Sequence, residues 1–196
     1  QKIGLTDLVI GYNHHFGRNR EGSVLNLKEY ADVYNFQIHQ VDPYYLDQKS
    51  VSSTKVRTAL SNGDIDLSNK YLGYSFQLSG CVVQGRGRGK TLGFPTANIR
   101  VENKNKIIPK EGVYAVQVYY KQIKYGGMLN IGTNPTFNQT KLSIEVHIFN
   151  FNHNLYNEMI TIEFIQRIRN EKKFKSIDEL KHQLSIDKIA SLNIIA

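Results

Sequence analysis

Residues 85–98 read Gly-Arg-Gly-Arg-Gly-Lys-Thr-Leu-Gly-Phe-Pro-Thr-Ala-Asn, with four glycines, two arginines and a lysine in fourteen residues. Glycine admits positive φ and lets the backbone come close to a ligand. Backbone N–H groups beside Arg and Lys form an anion cradle, so Gly85, Gly87, Gly89 and Lys90 are candidate contacts for a polyphosphate. Thr96 and Asn98 follow two residues apart, which places them on one face of an extended segment. A hydroxyl and an amide carbonyl are neutral oxygen ligands for a hard cation such as Mg2+ that phosphates hold for the most part. The same residues read equally as a basic surface turn before a polar strand start, and spacing alone does not choose between the two.

Two familiar phosphate loops are excluded. A Walker A loop needs a glycine five residues before the Gly89 of Gly-Lys-Thr, and that position is Gln84. The pattern G-x-G-x-x-G, begun at Gly85 and Gly87, arrives at Lys90. Pro95 stands where both motifs need a helix. The expectation is a glycine-rich loop that runs into extended chain without a helix.

Glu145 is the sharpest single candidate for chemistry. Alternation over 143–149 puts Ile144, Val146 and Ile148 on one face and Ser143, Glu145, His147 and Phe149 on the other. A carboxylate in mid-strand belongs either to a solvated face or to a task, and burial statistics alone favour the solvated face.

Two kinds of element must position these residues. In the first part, residues 8–10 read as a short buried strand, 23–34 as a helix and 36–41 as a second strand, which makes a βαβ unit with a parallel sheet. A helix over 54–61 with a Ser or Thr cap follows. Ser53, Thr54 and Arg57 in its first turn form a candidate anion site, and an ordinary capped helix explains them as well. Asn62-Gly63-Asp64 ends that helix, 66–72 is a short helix, and Gly73 closes it. From residue 74 the pattern changes to strands at 77–84, 112–120, 122–130, 142–149 and 159–167. Strands without intervening helices predict an antiparallel barrel or sandwich. Residues 104–110 form a basic connection that Pro109 keeps out of a helix. Ser176-Ile177-Asp178-Glu179 is a capping box for a final helix that carries Leu180 and Leu184 toward the barrel.

Residues 85–98 resemble the nucleotide loop and Pro-Thr-Ala-Asn motif of the riboflavin kinase family. Gly112-Val113-Tyr114-Ala115, the run Asn130-Ile131-Gly132-Thr133-Asn134-Pro135-Thr136-Phe137, then Glu145-Val146-His147 and Arg169-Asn170-Glu171-Lys172-Lys173-Phe174 follow in that family's order. The likeness spans about 74–189. It implies an ATP-dependent kinase acting on riboflavin to give FMN, with flavins as substrate and product and Mg2+ accompanying ATP. By the same likeness Glu145 is the general base, and Thr96 and Asn98 bind the metal. Arg169 is a candidate for balancing charge near flavin or phosphate, and Phe174 for packing on the isoalloxazine. A surface arginine and a core phenylalanine are equally open readings. Asn134-Pro135-Thr136 looks like a shaped loop near the nucleotide.

The first part resembles the end of a prokaryotic-type FMN adenylyltransferase domain. Gly11-Tyr12-Asn13-His14-His15-Phe16-Gly17 is similar to its flavin-side loop, with Asn13 where the family more often has an acidic residue. The run from Ser52 through Ser53 and Thr54 to Arg57 is similar to its nucleotide motif. No His-x-Gly-His occurs in the chain. The expectation is a fragment of a bifunctional FAD-synthesising protein, with 1–73 from the adenylyltransferase domain and 74–196 the kinase domain. FMN adenylylation belongs to the longer parent. The fold class is α+β: a riboflavin kinase-like antiparallel barrel with a C-terminal helix, preceded by a partial Rossmann-like α/β module.

Composition fits this picture. Apolar residues make up 40% and charged residues 21%, ordinary for a globular chain. One cysteine, Cys81, excludes an internal disulfide, and the expected location is the cytoplasm. No apolar run reaches the length of a membrane span. His14 and His15 have no second pair at zinc spacing, so no structural zinc site is expected. The net charge of +8 favours polyanions. With twelve tyrosines and the Gly-Arg loop, it also leaves open a nucleic-acid-binding barrel. A non-catalytic flavin-binding module is the third reading. Thr96, Asn98 and Glu145 together argue for the kinase, with ATP, riboflavin and FMN as partners and neither nucleic acid nor membrane among them.

Overall fold

A computed structural model describes residues 4–12, 14–20, 22–85, 87–136 and 139–196. Asn13, Arg86 and Phe137, all singled out above, lie outside the described residues. The chain divides into two compact units, 1–51 and 52–196.

In the first unit, β1 (Asp7–Gly11) and β2 (Gln37–Val41) pair in parallel. The crossover holds α1 (Val24–Tyr34), as the strand–helix–strand reading requires. Ser23 caps α1: its hydroxyl accepts from the Asn26 N–H, while the Asn26 side chain accepts from the Ser23 N–H. This is a capping box built with Asn in place of the usual Glu or Gln. Asn35 ends the helix in the left-handed region. A small hairpin follows, β3 (Tyr45–Leu46) with β4 (Lys49–Ser50). Asp47 and Gln48 both take positive φ between them, the geometry of a two-residue type I′ turn. Its sequence lacks the glycine that announces such turns, and composition did not reveal it.

The second unit is a closed six-stranded barrel with a helix pair and a long C-terminal helix. Its strands are β5 (Gln77–Val83), β6 (Ala97–Arg100), β7 (Gly112–Tyr120), β8 (Ile123–Thr136), β9 (Gln139–Ile148) and β10 (Met159–Arg169). The order around the barrel is β10-β5-β6-β9-β8-β7, closed by β10 on β7, and every pair is antiparallel. The expected barrel is therefore present. Asn134-Pro135-Thr136, expected as a loop, instead extends β8 opposite β9.

The interior follows from period-two alternation. Leu78 and Val82, Val116 and Val118, Leu129 and Ile131, Ile160 and Ile162 are all essentially inaccessible. Tyr114 and Phe164 meet edge-on at 5.3 Å, and the Tyr114 hydroxyl donates to the Lys110 carbonyl. This buried phenol is pushed above its ordinary pKa by burial.

The helices α2 (Ser53–Asn62) and α3 (Ile65–Leu72) close one region of this core. Leu60 and Ile65 are buried within the barrel's own apolar cluster. The sequence reading placed these helices with the first 73 residues, whereas they pack in one compact unit with the barrel. Asn69 of α3 ties the two together: its amide donates to Phe164 O at 2.9 Å, and its carbonyl accepts from Phe76 N at 2.8 Å. Removing both partners leaves two half-buried backbone groups unsatisfied, which costs about 2 kcal/mol. Asn69→Ala is accordingly expected to lower the barrel's unfolding free energy by that amount, read as a lower urea midpoint, with Asn62→Ala on the same helix pair as the exposed control. An unchanged midpoint in Asn69→Ala would show that the bridge contributes nothing.

Candidate functional site

The glycine loop leaves β5, passes Gly85 and re-enters the sheet as β6. It contains a single helical turn, α4 (Arg88–Thr91), after Gly87 at φ 69°. This corrects the expectation of a loop without any helix. The reason it stays at one turn is visible in its amides. Leu92 N and Phe94 N both donate to Gly89 O, and Gly93 N donates to Lys90 O, which folds the chain back before Pro95. Lys90 N is also used within the turn, on Gly87 O.

Two glycines are demanded by close approach. A Cβ on Gly85 would lie 1.9 Å from Asn98 Nδ2. A Cβ on Gly89 would lie 2.3 Å from Phe94 O and 3.2 Å from Thr96 Oγ1. The loop backbone thus rests on the two side chains singled out as oxygen ligands.

β9 brings Glu145 to the same place. Asn98, Glu145 and Asn130 are direct neighbours on β6, β9 and β8, so three polar residues stand in a row across the sheet. Val146 points into the core, which leaves Glu145 on the outer face, as alternation required. Thr96 Oγ1 donates to Glu145 Oε2 at 3.3 Å. Asn130 Nδ2 donates to Glu171 Oε1 at 3.1 Å. Glu171 lies so close to Gly132 that a Cβ there would sit 1.9 Å from its carboxylate. Asn130 and Glu171 belonged to motifs quoted above, but no role was read for them. The signal for Asn130 was the register of β8 against β9, and Glu171 follows from its bond to Asn130.

Two cavities flank this row. The first, about 240 Å3, lies between the barrel wall and α5 (Ile177–Ile195). Leu92, Phe94, Met128, Phe174, Leu180 and Leu184 give it an apolar lining, with Thr96, Asn130, Glu145, His147, Arg169 and Glu171 among its polar groups. The second, about 370 Å3, is lined by Lys90, Pro95, Thr96 and the 151–156 connection with Asn152, His153, Asn154 and Tyr156. Thr96 lines both.

α5 is held by a buried ion pair. Arg169 Nε and NH2 reach the Asp187 carboxylate at 2.7–3.1 Å, and Gln183 Nε2 adds a bond at 3.0 Å. Asp187 is 1% exposed. Arg169 therefore lines the first cavity with its guanidinium already paired to Asp187, a partner that the sequence reading did not foresee. A register shift in β10 between Arg167 and Arg169 separates the two arginines. Arg167 lies over the Tyr114 ring, while Arg169 turns to the helix. Phe174 borders the cavity with Arg169 and Lys172 near its ring.

Ser53, Thr54 and Arg57 occupy the exposed first turn of α2, whose cap is Ser52 accepting from Lys55 N. Among the described residues, no group of three or more His, Cys, Asp or Glu side chains is arranged to hold a metal. No helix there is long and apolar enough to cross a membrane.

A closed antiparallel barrel thus carries a glycine loop laid over Thr96 and Asn98, with a carboxylate beside them. Residues 72–195 match the family described as riboflavin kinase, and the chain belongs to that family. Residues 1–55 match the family described as FAD synthetase. The chain is 39% identical over 181 residues to a bifunctional riboflavin kinase/FMN adenylyltransferase of Haemophilus influenzae, covering 92% of this chain and 58% of the relative. The like-named protein of Listeria monocytogenes is 40% identical, with 92% and 57% covered. The chain thus spans just under three-fifths of the length of these relatives. A solved structure described as a macrolide-efflux protein from Streptococcus pneumoniae superimposes with a TM-score of 0.84 at 34% identity, over 94% of this chain and 60% of that one.

Breaking a buried pair by removing one partner costs about 3–5 kcal/mol. Arg169→Leu is expected to lose that much stability in chemical denaturation without any ligand present. A loss that appears only in flavin affinity would instead return Arg169 to the role of a ligand contact.

Proposed function

We propose that the barrel transfers the terminal phosphoryl group of ATP to the ribityl 5′-hydroxyl of riboflavin, giving FMN and ADP. The observation that carries this reading is Thr96, which lines both cavities. The apolar cavity suits the flavin ring system, with Phe174 at its border. The second cavity, with Lys90 and the 151–156 connection, suits the nucleotide. The phosphates would lie along Gly85, Gly87, Gly89 and Lys90.

Phosphoryl transfer asks for positioning and charge neutralisation more than for covalent chemistry. The riboflavin hydroxyl forms the new bond to the γ-phosphorus, the bond from that phosphorus to the bridging oxygen breaks, and ADP leaves. Glu145 on the first-cavity side accepts the hydroxyl proton. Thr96 Oγ1 donates a hydrogen bond to Glu145, which leaves its lone pairs facing away from the carboxylate. Together with the Asn98 carbonyl it makes a hard-oxygen pair that Gly85 leaves room for. These two residues would hold Mg2+ brought by the nucleotide, an ion that takes one or two protein ligands beside its phosphates and would neutralise phosphate charge.

We assign 74–196 to the kinase and 1–73 to the end of an adenylyltransferase domain, with Asn13, Ser53, Thr54 and Arg57 as its site remnants. The FAD synthetase match over 1–55 supports that assignment. FMN adenylylation is the activity of the longer protein, and a chain with one cysteine suits the cytoplasm.

Glu145→Gln keeps the shape and removes the base. Turnover is expected to fall by about 10²–10⁴-fold, with riboflavin affinity, read by flavin fluorescence quenching, nearly unchanged. Wild-type turnover in this variant would remove Glu145 from the role.

A further inference from the structure

β6 and β9 pair at Ala97–Val146 and Asn98–Glu145. Two residues before the first of these pairs stands the Pro95 carbonyl, and His147 Nδ1 lies 2.8 Å from its oxygen. A carbonyl oxygen only accepts, so Nδ1 carries the proton. The imidazole is 8% exposed. Phe94 packs against it at 5.5 Å and Phe149 at 5.7 Å, both edge-on. Burial holds its pKa below the ordinary histidine value, which favours a neutral ring with Nδ1–H.

On the same face of β9, two residues earlier, Glu145 Oε2 accepts from Thr96 Oγ1. β9 therefore grips two consecutive residues with two side chains: Pro95 through its carbonyl and Thr96 through its hydroxyl. The two grips differ in kind. The bond to Glu145 changes when that carboxylate takes a proton. The bond from His147 to a backbone carbonyl does not depend on Glu145, so it holds the segment through the proton transfer. Pro95 has no N–H with which to enter a ladder, so its carbonyl and ring are what remain to fix it.

We propose that His147 is a positioning residue for this site: its Nδ1–H clamps the Pro95 carbonyl and so fixes Thr96 between the two cavities. The proposal rests on the kinase reading for its consequence in turnover. The clamp itself can be read without any activity.

The test uses the full chain and two variants. His147→Asn places an amide N–H near the position of Nδ1–H, and His147→Leu fills the space without a donor. Imidazole 15N NMR of the wild type is expected to show the Nδ1–H tautomer. The backbone amide resonances of Thr96 and Ala97 are expected to move in His147→Leu and to stay near wild type in His147→Asn. Misplacement of a reacting group by about 1 Å costs on the order of 10²-fold. In riboflavin phosphorylation kcat should thus fall by about 10–100-fold in His147→Leu. Riboflavin KM should stay within about 3-fold, and His147→Asn should recover most of kcat. An Nε2–H tautomer in the wild type overturns the proposal. So does a His147→Leu protein with unmoved Thr96 and Ala97 resonances and full kcat, or a His147→Asn protein as impaired as His147→Leu. A folded wild type that makes no FMN, yet shows the Nδ1–H tautomer and the Asn/Leu difference in resonances, contradicts the kinase reading and supports the clamp.

Discussion

The backbone at Gly85 and Gly89 lies against the 94–98 segment more closely than any side chain allows: an added Cβ would meet Asn98 Nδ2 at 1.9 Å and Phe94 O at 2.3 Å. Much of the site follows from this contact. It sets the loop down on Thr96 and Asn98, and β6 starts at Ala97, two residues after Pro95. β6 is only four residues long, yet it closes the barrel between β5 and β9. Closing the barrel there brings Asn98 beside Glu145, and the β9 register then places Asn130 on the other side. A barrel has no free edge at which strands can slip, and a slip of one residue would turn Glu145 into the core. The glycine contact, the short strand and the placement of the carboxylate are one arrangement.

The outer wall is secured differently. α5 covers the first cavity, and its hold on the barrel runs through Arg169 and a nearly inaccessible Asp187. A buried pair of this kind is weak evidence of net stability, since desolvation offsets much of the attraction. What it supplies is a fixed register between β10 and the helix. That register sets where Leu180, Leu184 and Phe174 line the cavity.

Period-two patterning made most of the barrel legible. The strands predicted at 112–120 and 159–167 begin where the structure begins them, and the alternation of Ile144, Val146 and Ile148 against Glu145 held. The helix stops at Gly63 and Gly73 were also readable, because a left-handed residue ends each helix. Features fixed by tertiary contact were not. β6 is too short for a period to show, and α4 is a single turn between glycines. Asp187 reads in one dimension as a solvated helix position, since its partner is 18 residues away on a strand. The β10 register shift that sends Arg167 and Arg169 to different neighbours has no local signature. Family motifs marked the candidate site residues, while the sharing of Thr96 between two cavities needed three dimensions. The compact units divide at 51/52, ahead of the change in pattern at residue 74, because Leu60 and Ile65 bury their side chains with the barrel core.

In the proposed reaction Thr96 joins a flavin cavity to a nucleotide cavity. The most direct measurement is incubation of the chain with riboflavin, ATP and Mg2+, followed by chromatographic separation of the flavins. FMN is expected to appear in step with ADP and to require all three additions. A folded protein that leaves riboflavin unchanged under those conditions, or that consumes ATP without forming FMN, would contradict it.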